Sequence, residues 1–115
     1  MLRRFLRGLS YAFTGLLLAW REESNFKIEV ACAVLAIVLG VFVGLSAAEF
    51  ALVAIAISIV LAAEAFNTAL EELCDKLETD HDPRIARIKD LAAAAVLIAS
   101  MGALAVGLFV FIPHL

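Results

Sequence analysis

An all-α membrane protein, with three transmembrane helices and an N-terminal amphipathic surface helix, is the fold this sequence predicts. Three observations carry that expectation. The 115-residue chain is 64% hydrophobic, against about 45–50% apolar for a soluble domain, and its mean hydropathy is +1.02. It contains three apolar runs, each long enough to cross a hydrocarbon core at about 1.5 Å per residue. Its first twenty residues carry bulky apolar side chains along one helical face and arginines along the other. A chain this short buries only a modest share of its surface inside itself, so lipid is the solvent for the excess.

Residues 2–20 form the surface helix. At about 100° per residue, Leu2, Phe5, Leu6, Leu9, Phe13, Leu16, Leu17 and Trp20 fall in a stripe about 120° wide, with Leu18 outside it. Arg3, Arg4, Arg7, Ser10, Tyr11 and Thr14 take the opposite side. A basic face opposite leucines and aromatics suits a helix lying at a membrane interface.

The three spans follow at about 30–48, 50–70 and 91–112. The first lies between Glu29 and Glu49 and has no charge, and the third has none either. The second is interrupted by Glu64 and Asn67. Proline is tolerated in a first helical turn, so the last helix starts near Pro83, with Asp80 or Asp82 as its cap. The chain reads as one domain, 1–115, without repeat or linker.

Charge placement sets the expected orientation. The connection Leu45-Ser46-Ala47-Ala48-Glu49 has no Lys or Arg, whereas the segments before the first span and after the second hold Arg21, Lys27, Lys76, Arg84, Arg87 and Lys89. The positive-inside rule then places the N-terminus and residues 71–90 in the cytoplasm and the C-terminus outside. These cations flank apolar runs and the net charge is −3, so they are topology signals, and no nucleic-acid partner is expected. Cys32 and Cys74 are packing residues, since two thiols without clustered histidines make neither a zinc site nor a disulfide scaffold. No A-x-A-like site follows an apolar core, so no cleavable signal peptide is expected.

The chemistry is expected along one helical face. Glu64, Asn67, Glu71 and Asp75 sit at i, i+3, i+7 and i+11 and fall within about 80° of one another. Ionisable groups inside a span are costly and mark functional sites. A polar seam holding helices together is the bland alternative, and Asn67 or Thr68 alone would serve it. Three carboxylates in line repel unless cations sit between them. Glu64 lies about 21 Å along the axis from Phe50, and Glu71 about 10 Å further, at the aqueous edge. One helix thus carries a carboxylate at headgroup depth and others facing water, which suits an enzyme with a lipid acceptor and a soluble polyanionic donor. Glu23 and Glu71 are candidates to share Mg²⁺, which prefers a few carboxylates plus substrate phosphates. Lys89 offers a point charge for phosphate beside Asp90. Neither a G-x-x-x-x-G-K-[ST] loop nor a Gly-rich kinase loop occurs.

The run Glu64-x-x-Asn67-Thr68-Ala69-x-Glu71-x-x-x-Asp75, then Lys89-Asp90-x-x-x-Ala94-Ala95-Val96-Leu97, resembles the prokaryotic diacylglycerol kinases and the related undecaprenol kinases. Trp20-x-x-Glu23-x-x-Phe26 matches too, and the resemblance runs from about Arg4 to Phe109. It implies a homotrimer of three-span protomers in the bacterial inner membrane, with ATP and a divalent metal, Mg²⁺, as cofactors. It carries the general base to Glu64, the metal ligands to Glu23 and Glu71, and a place in the catalytic motif to Asn67. Nucleotide contacts fall on Arg4, Tyr11, Lys89 and Asp90, with more around Asp80 and Asp82. The acceptor is a membrane lipid alcohol, either diacylglycerol or undecaprenol. Asn25, His81-x-Pro83 and Leu17, where the diacylglycerol-kinase branch often has arginine, lean toward undecaprenol. The competing class is a non-enzymatic oligomer, such as a proton-conducting ring around Glu64. A single intramembrane carboxylate would suffice for that ring, and it would leave Glu23, Glu71, Asp75 and Lys89 without a role.

Overall fold

The computed structural model describes residues 1–77 and 82–115. Asp80 and His81 therefore lie outside the described residues. Four α-helices and a terminal 3₁₀ turn account for nearly all the rest, with no strand among the described residues. They are α1 (Leu2–Glu22), α2 (Ser24–Val43), α3 (Ala47–Leu77) and α4 (Pro83–Phe111), with the turn at Ile112–His114.

Helix α1 contains no buried residue. Its apolar face, including Leu2, Phe5, Leu6, Leu9 and Phe13, is open to the surroundings, as a surface helix requires. It ends at Glu23, whose extended backbone (φ −110°, ψ 108°) closes α1 and opens α2 in a single residue. Lys27 sits 5.9 Å from the centre of the Trp20 ring across this corner, a cation–π contact of the kind favoured at interfaces.

Helices α2, α3 and α4 are each long and apolar enough to cross a membrane. All three start before the apolar runs that predict them, but α2 ends at Val43, short of the expected 48, because Gly44 turns the chain and Ala47 already belongs to α3. Helix α2 starts at Ser24, one turn and more before Val30, because nothing between Glu23 and the apolar run breaks a helix. Helix α3 has 31 residues, about 46 Å of rise against a hydrocarbon core of about 30 Å, so the end carrying Glu71 and Asp75 projects. Helix α4 starts at Pro83, and the Asp82 carboxylate accepts the Arg84 backbone N–H at 2.8 Å.

The turn between α2 and α3 is tightly specified. Gly44 adopts φ +80°, and the N–H groups of Gly44 and Leu45 both donate to the Gly40 carbonyl at 3.0 Å. The residue beyond a helix often needs this left-handed conformation, which glycine adopts freely. Gly40 lies so close to Leu45 and Phe50 that an added Cβ would meet them at 2.8 and 2.9 Å. Ser46 and Glu49 then form a capping box at the start of α3. The Ser46 N–H donates to Glu49 Oε1 at 2.9 Å, and the Glu49 N–H to Ser46 Oγ at 3.2 Å. His114 Nε2 lies 3.0 Å from Glu49 Oε2, so the end of α4 is tied to the start of α3.

The small buried core lies at this same end. Leu45, Val53 and Val110 form it, with Phe50, Ile57, Val106 and Phe111 packed against them. Helix α4 runs antiparallel to α3, and these two share the largest interface. The remaining large apolar side chains face outward, where a bilayer supplies their solvent.

Candidate active site

The residues of the α3 stripe, with Lys89 of α4, lie toward the opposite end from Gly44. Glu64 is the buried charged side chain among the described residues, at 7% exposure. Helix α3 turns it inward, and Glu29 of α2 brings its own carboxyl group against it. One Glu29 oxygen, Oε2, is buried without a hydrogen-bond partner. Two carboxyl groups in contact inside an apolar bundle mark a place where charge or protons are handled, since such groups are otherwise excluded.

One turn along α3, the Asn67 side-chain amide donates to Glu71 Oε1 at 3.0 Å. The Asn67 carbonyl oxygen is buried and has no partner. This bond orients the Glu71 carboxylate and leaves its second oxygen for another ligand. Glu71 itself is exposed, so solvent and a soluble ligand reach it.

One further turn along, Asp75 meets α4. Lys89 Nζ donates to Asp75 Oδ1 at 2.5 Å, across fourteen residues of sequence. Both side chains remain partly open to solvent, Lys89 at 40% and Asp75 at 66%. The pair fixes the ammonium group at the mouth of the site without burying it. Asp90 is exposed next to it. Asp82 is engaged in capping α4.

Glu23 stands at the α1–α2 corner and makes no side-chain capping bond. Arg4 and Tyr11 are exposed on α1. Among the described residues, no side-chain hydrogen bond joins Arg4, Tyr11 or Glu23 to the α3 stripe. The structure thus links Asn67 to Glu71 and Asp75 to Lys89, sets Glu64 beside Glu29, and leaves the α1 residues apart.

Glu29 is the residue that sequence reasoning missed. It reads there as the boundary of the first apolar run. Its signal is position: α2 starts before that run, so an acid at Glu29 is inside a helix and at the level of Glu64.

Of the two expected metal ligands, Glu71 fits a hard cation, since Asn67 orients its carboxylate and Mg²⁺ takes one or two carboxylates and completes its shell with water and substrate phosphate; no hydrogen bond sets Glu23 beside it among the described residues. No group of three or more His, Cys, Asp or Glu side chains forms a closed metal cage among the described residues. Cys74 is buried and Cys32 exposed, both as free thiols.

The chain is similar to known proteins over most of its length. The model of the prokaryotic diacylglycerol kinase family matches residues 10–111. The undecaprenol kinase of Bacillus subtilis (strain 168) is 32% identical over 114 residues, covering 99% of this chain and 93% of the relative. The diacylglycerol kinase of Escherichia coli (strain K12) is 30% identical over 96 residues, 84% of this chain and 79% of the relative. That of Synechocystis sp. is 34% identical over 111 residues, 96% of this chain and 63% of the relative.

Proposed function

The chain belongs to the prokaryotic diacylglycerol kinase family and is a multi-pass membrane lipid kinase; from that premise we propose that it transfers the γ-phosphate of ATP to the hydroxyl of undecaprenol. Diacylglycerol, the acceptor named for several relatives, is the alternative. The whole chain, 1–115, acts as one catalytic domain. It works as a homotrimer in the bacterial inner membrane, with the N-terminus cytoplasmic and the C-terminus outside.

One observation carries the reading above the others. A single face of α3 descends from an exposed carboxylate at Glu71, through Asn67, to a buried one at Glu64. The two levels differ by about 10 Å, which separates a water-borne phosphate donor from a hydroxyl carried in lipid. Glu64 takes the proton of the attacking hydroxyl. Asn67 holds Glu71, and Glu71 and Glu23 would hold Mg²⁺, which offsets charge on the phosphate oxygens when bound. Lys89, fixed by Asp75, sits against the phosphates, with Asp90 beside it. Arg4 and Tyr11 on α1, and Asp80 and Asp82 before α4, complete the nucleotide contacts. This is phosphoryl transfer by positioning and electrostatics. A proton-conducting ring around Glu64 would give no role to the Asn67–Glu71 and Asp75–Lys89 pairs.

The trimer is supported by Asn67. Its amide stands on a membrane helix that one protomer leaves partly uncovered, and lipid cannot satisfy it. The lean toward undecaprenol rests on Leu17, Asn25 and the His81-x-Pro83 sequence, together with the match to the Bacillus subtilis relative over nearly its full length. The test is direct. Purified protein with ATP and Mg²⁺ is offered undecaprenol and diacylglycerol in matched micelles. ATP consumption that depends on the added alcohol, and is greater with undecaprenol, is the expected result. No alcohol-dependent turnover would refute the enzyme reading, and a clear preference for diacylglycerol would refute the acceptor.

A further inference from the structure

Two polar clasps tie α4 to α3, one toward each end. Lys89 bonds Asp75 at the end that carries Glu71. At the Gly44 end, His114 Nε2 stands 3.0 Å from Glu49 Oε2 and 3.2 Å from Glu49 Oε1. A carboxylate only accepts, so the imidazole N–H donates to it. The same carboxylate accepts the Ser46 N–H at 2.9 Å, which holds it in place for His114.

The clasps are matched in spacing. Glu49 lies about 39 Å from Asp75 along α3. His114 lies about 39 Å from Lys89 along α4 and the 3₁₀ turn. Two rods pinned over equal lengths cannot slip by a helical turn, about 5.4 Å, without opening a clasp.

Packing between the clasps sets this register only weakly. In lipid no hydrophobic force drives helices together. Clefts open along α3 and α4 at Ala56, Ala103 and Gly107, and again at Ala62, Ala92 and Ala95. Such small side chains raise no ridge that locks into a groove. The contacts of Val53 and Val110 near Gly44 are apolar and without direction. The clasps themselves are unequal. The Lys89 and Asp75 side chains are 40% and 66% exposed, and a pair that open to water holds little by itself. His114 and Glu49 are 25% and 28% exposed, so their contact is better sheltered and less screened.

We propose that Glu49 and His114 are positioning residues for the phosphate donor: their clasp sets the depth of α4 against α3, and so the place of the Lys89 ammonium group about 39 Å away. The proposal rests on the lipid-kinase reading, in which Lys89 sits against the phosphates. Neither residue touches that site. Loss of the clasp lets α4 shift along α3 and withdraws Lys89 from the phosphates.

The test uses the full-length protein in detergent micelles with Mg²⁺. ATP affinity is read by titration calorimetry, beside the midpoint of thermal unfolding. His114→Leu opens the clasp and should weaken ATP binding by about 3- to 10-fold, within the range usual for coupling at a distance. His114→Lys offers an ammonium group to the same carboxylate and should restore most of that affinity. In a Lys89→Met background, His114→Leu should weaken binding no further, because the coupling runs through Lys89. If His114→Leu does not fold, Glu49→Gln is read in the same way, since it keeps the capping box with Ser46 and loses one of the two oxygens that face His114.

A lower unfolding midpoint with unchanged ATP affinity would make the clasp a brace alone and overturn the proposal. So would an equal loss of affinity in the Lys89→Met background, or a His114→Lys variant that binds ATP no better than His114→Leu. A parent protein that binds no ATP refutes the kinase reading, and the proposal with it. A parent that binds ATP, with variants that match it, refutes the proposal alone.

Discussion

In the proposed reaction, Glu64 is the residue that takes the proton of the attacking hydroxyl. It is buried, and it lies about 10 Å from Glu71 along α3, too far to serve the same metal directly. Glu64→Gln should therefore lower turnover by about 10²–10⁴-fold, the usual contribution of a general base, while leaving ATP affinity nearly intact. Nucleotide binding and turnover measured on the same purified variant check this. Turnover within a few-fold of the parent, or a loss explained wholly by weaker ATP binding, removes Glu64 from that role. Glu71→Gln acts differently. The amide is a poorer ligand for a hard cation, so the variant should fold as the parent does and lose Mg²⁺-dependent turnover. Titration of activity with Mg²⁺ is the measurement, and a curve matching the parent's refutes the metal role. The polar stripe read from the sequence names both carboxylates. The bond that orients Glu71, from the Asn67 amide at 3.0 Å, follows from their i, i+4 spacing on a helix.

At the scale of the element, the turn between α2 and α3 and the cap of α3 decide how firmly these two spans are joined. Gly44 has φ +80°, a conformation that costs about 1–2 kcal/mol for a residue with a Cβ. Gly44→Ala should destabilise the folded protein by roughly that amount. Ser46→Ala removes the hydroxyl that accepts the Glu49 N–H and should cost about 1 kcal/mol, as loss of a helix cap usually does. Thermal unfolding in detergent reads both variants, and midpoints equal to the parent's would show that the turn and cap contribute nothing. The start of α4 at Pro83, capped by Asp82, is legible in sequence because proline and aspartate act locally. The Ser46–Glu49 box has a sequence signature too. It is hidden there because Glu49 reads first as the charge that ends an apolar run.

At the scale of the whole molecule, the predictions concern orientation and assembly. A reporter fused after His114 should report the outside of the cell, since the Lys and Arg residues sit at the opposite ends of the spans. A cytoplasmic signal would reverse the proposed topology, and with it the side from which ATP arrives. Chemical cross-linking in mild detergent should give a species of three chains. A purely monomeric protein that retains full activity would show that one chain suffices to shelter Asn67.

The sequence by itself determined the helices, their number and the face of α3 that carries the polar stripe. These depend on local quantities: apolar run length against bilayer thickness, periodicity, and turn and cap residues. It also carried the family resemblance, because the Glu64–Asp75 and Lys89–Asp90 motifs are short and ordered along the chain. Only the tertiary structure decided which side chains of different helices meet. Glu29 stands against Glu64 because α2 and α3 pack antiparallel from the Gly44 turn. Lys89 bonds Asp75 because α4 returns along α3. The cleft beside Glu29 exists because Ala36, Ala56, Ala103 and Gly107, far apart in sequence, face one space. Spacing along one helix fixes neighbours on that helix. Contacts between helices depend on their relative rotation and depth, which are set by packing over their whole length.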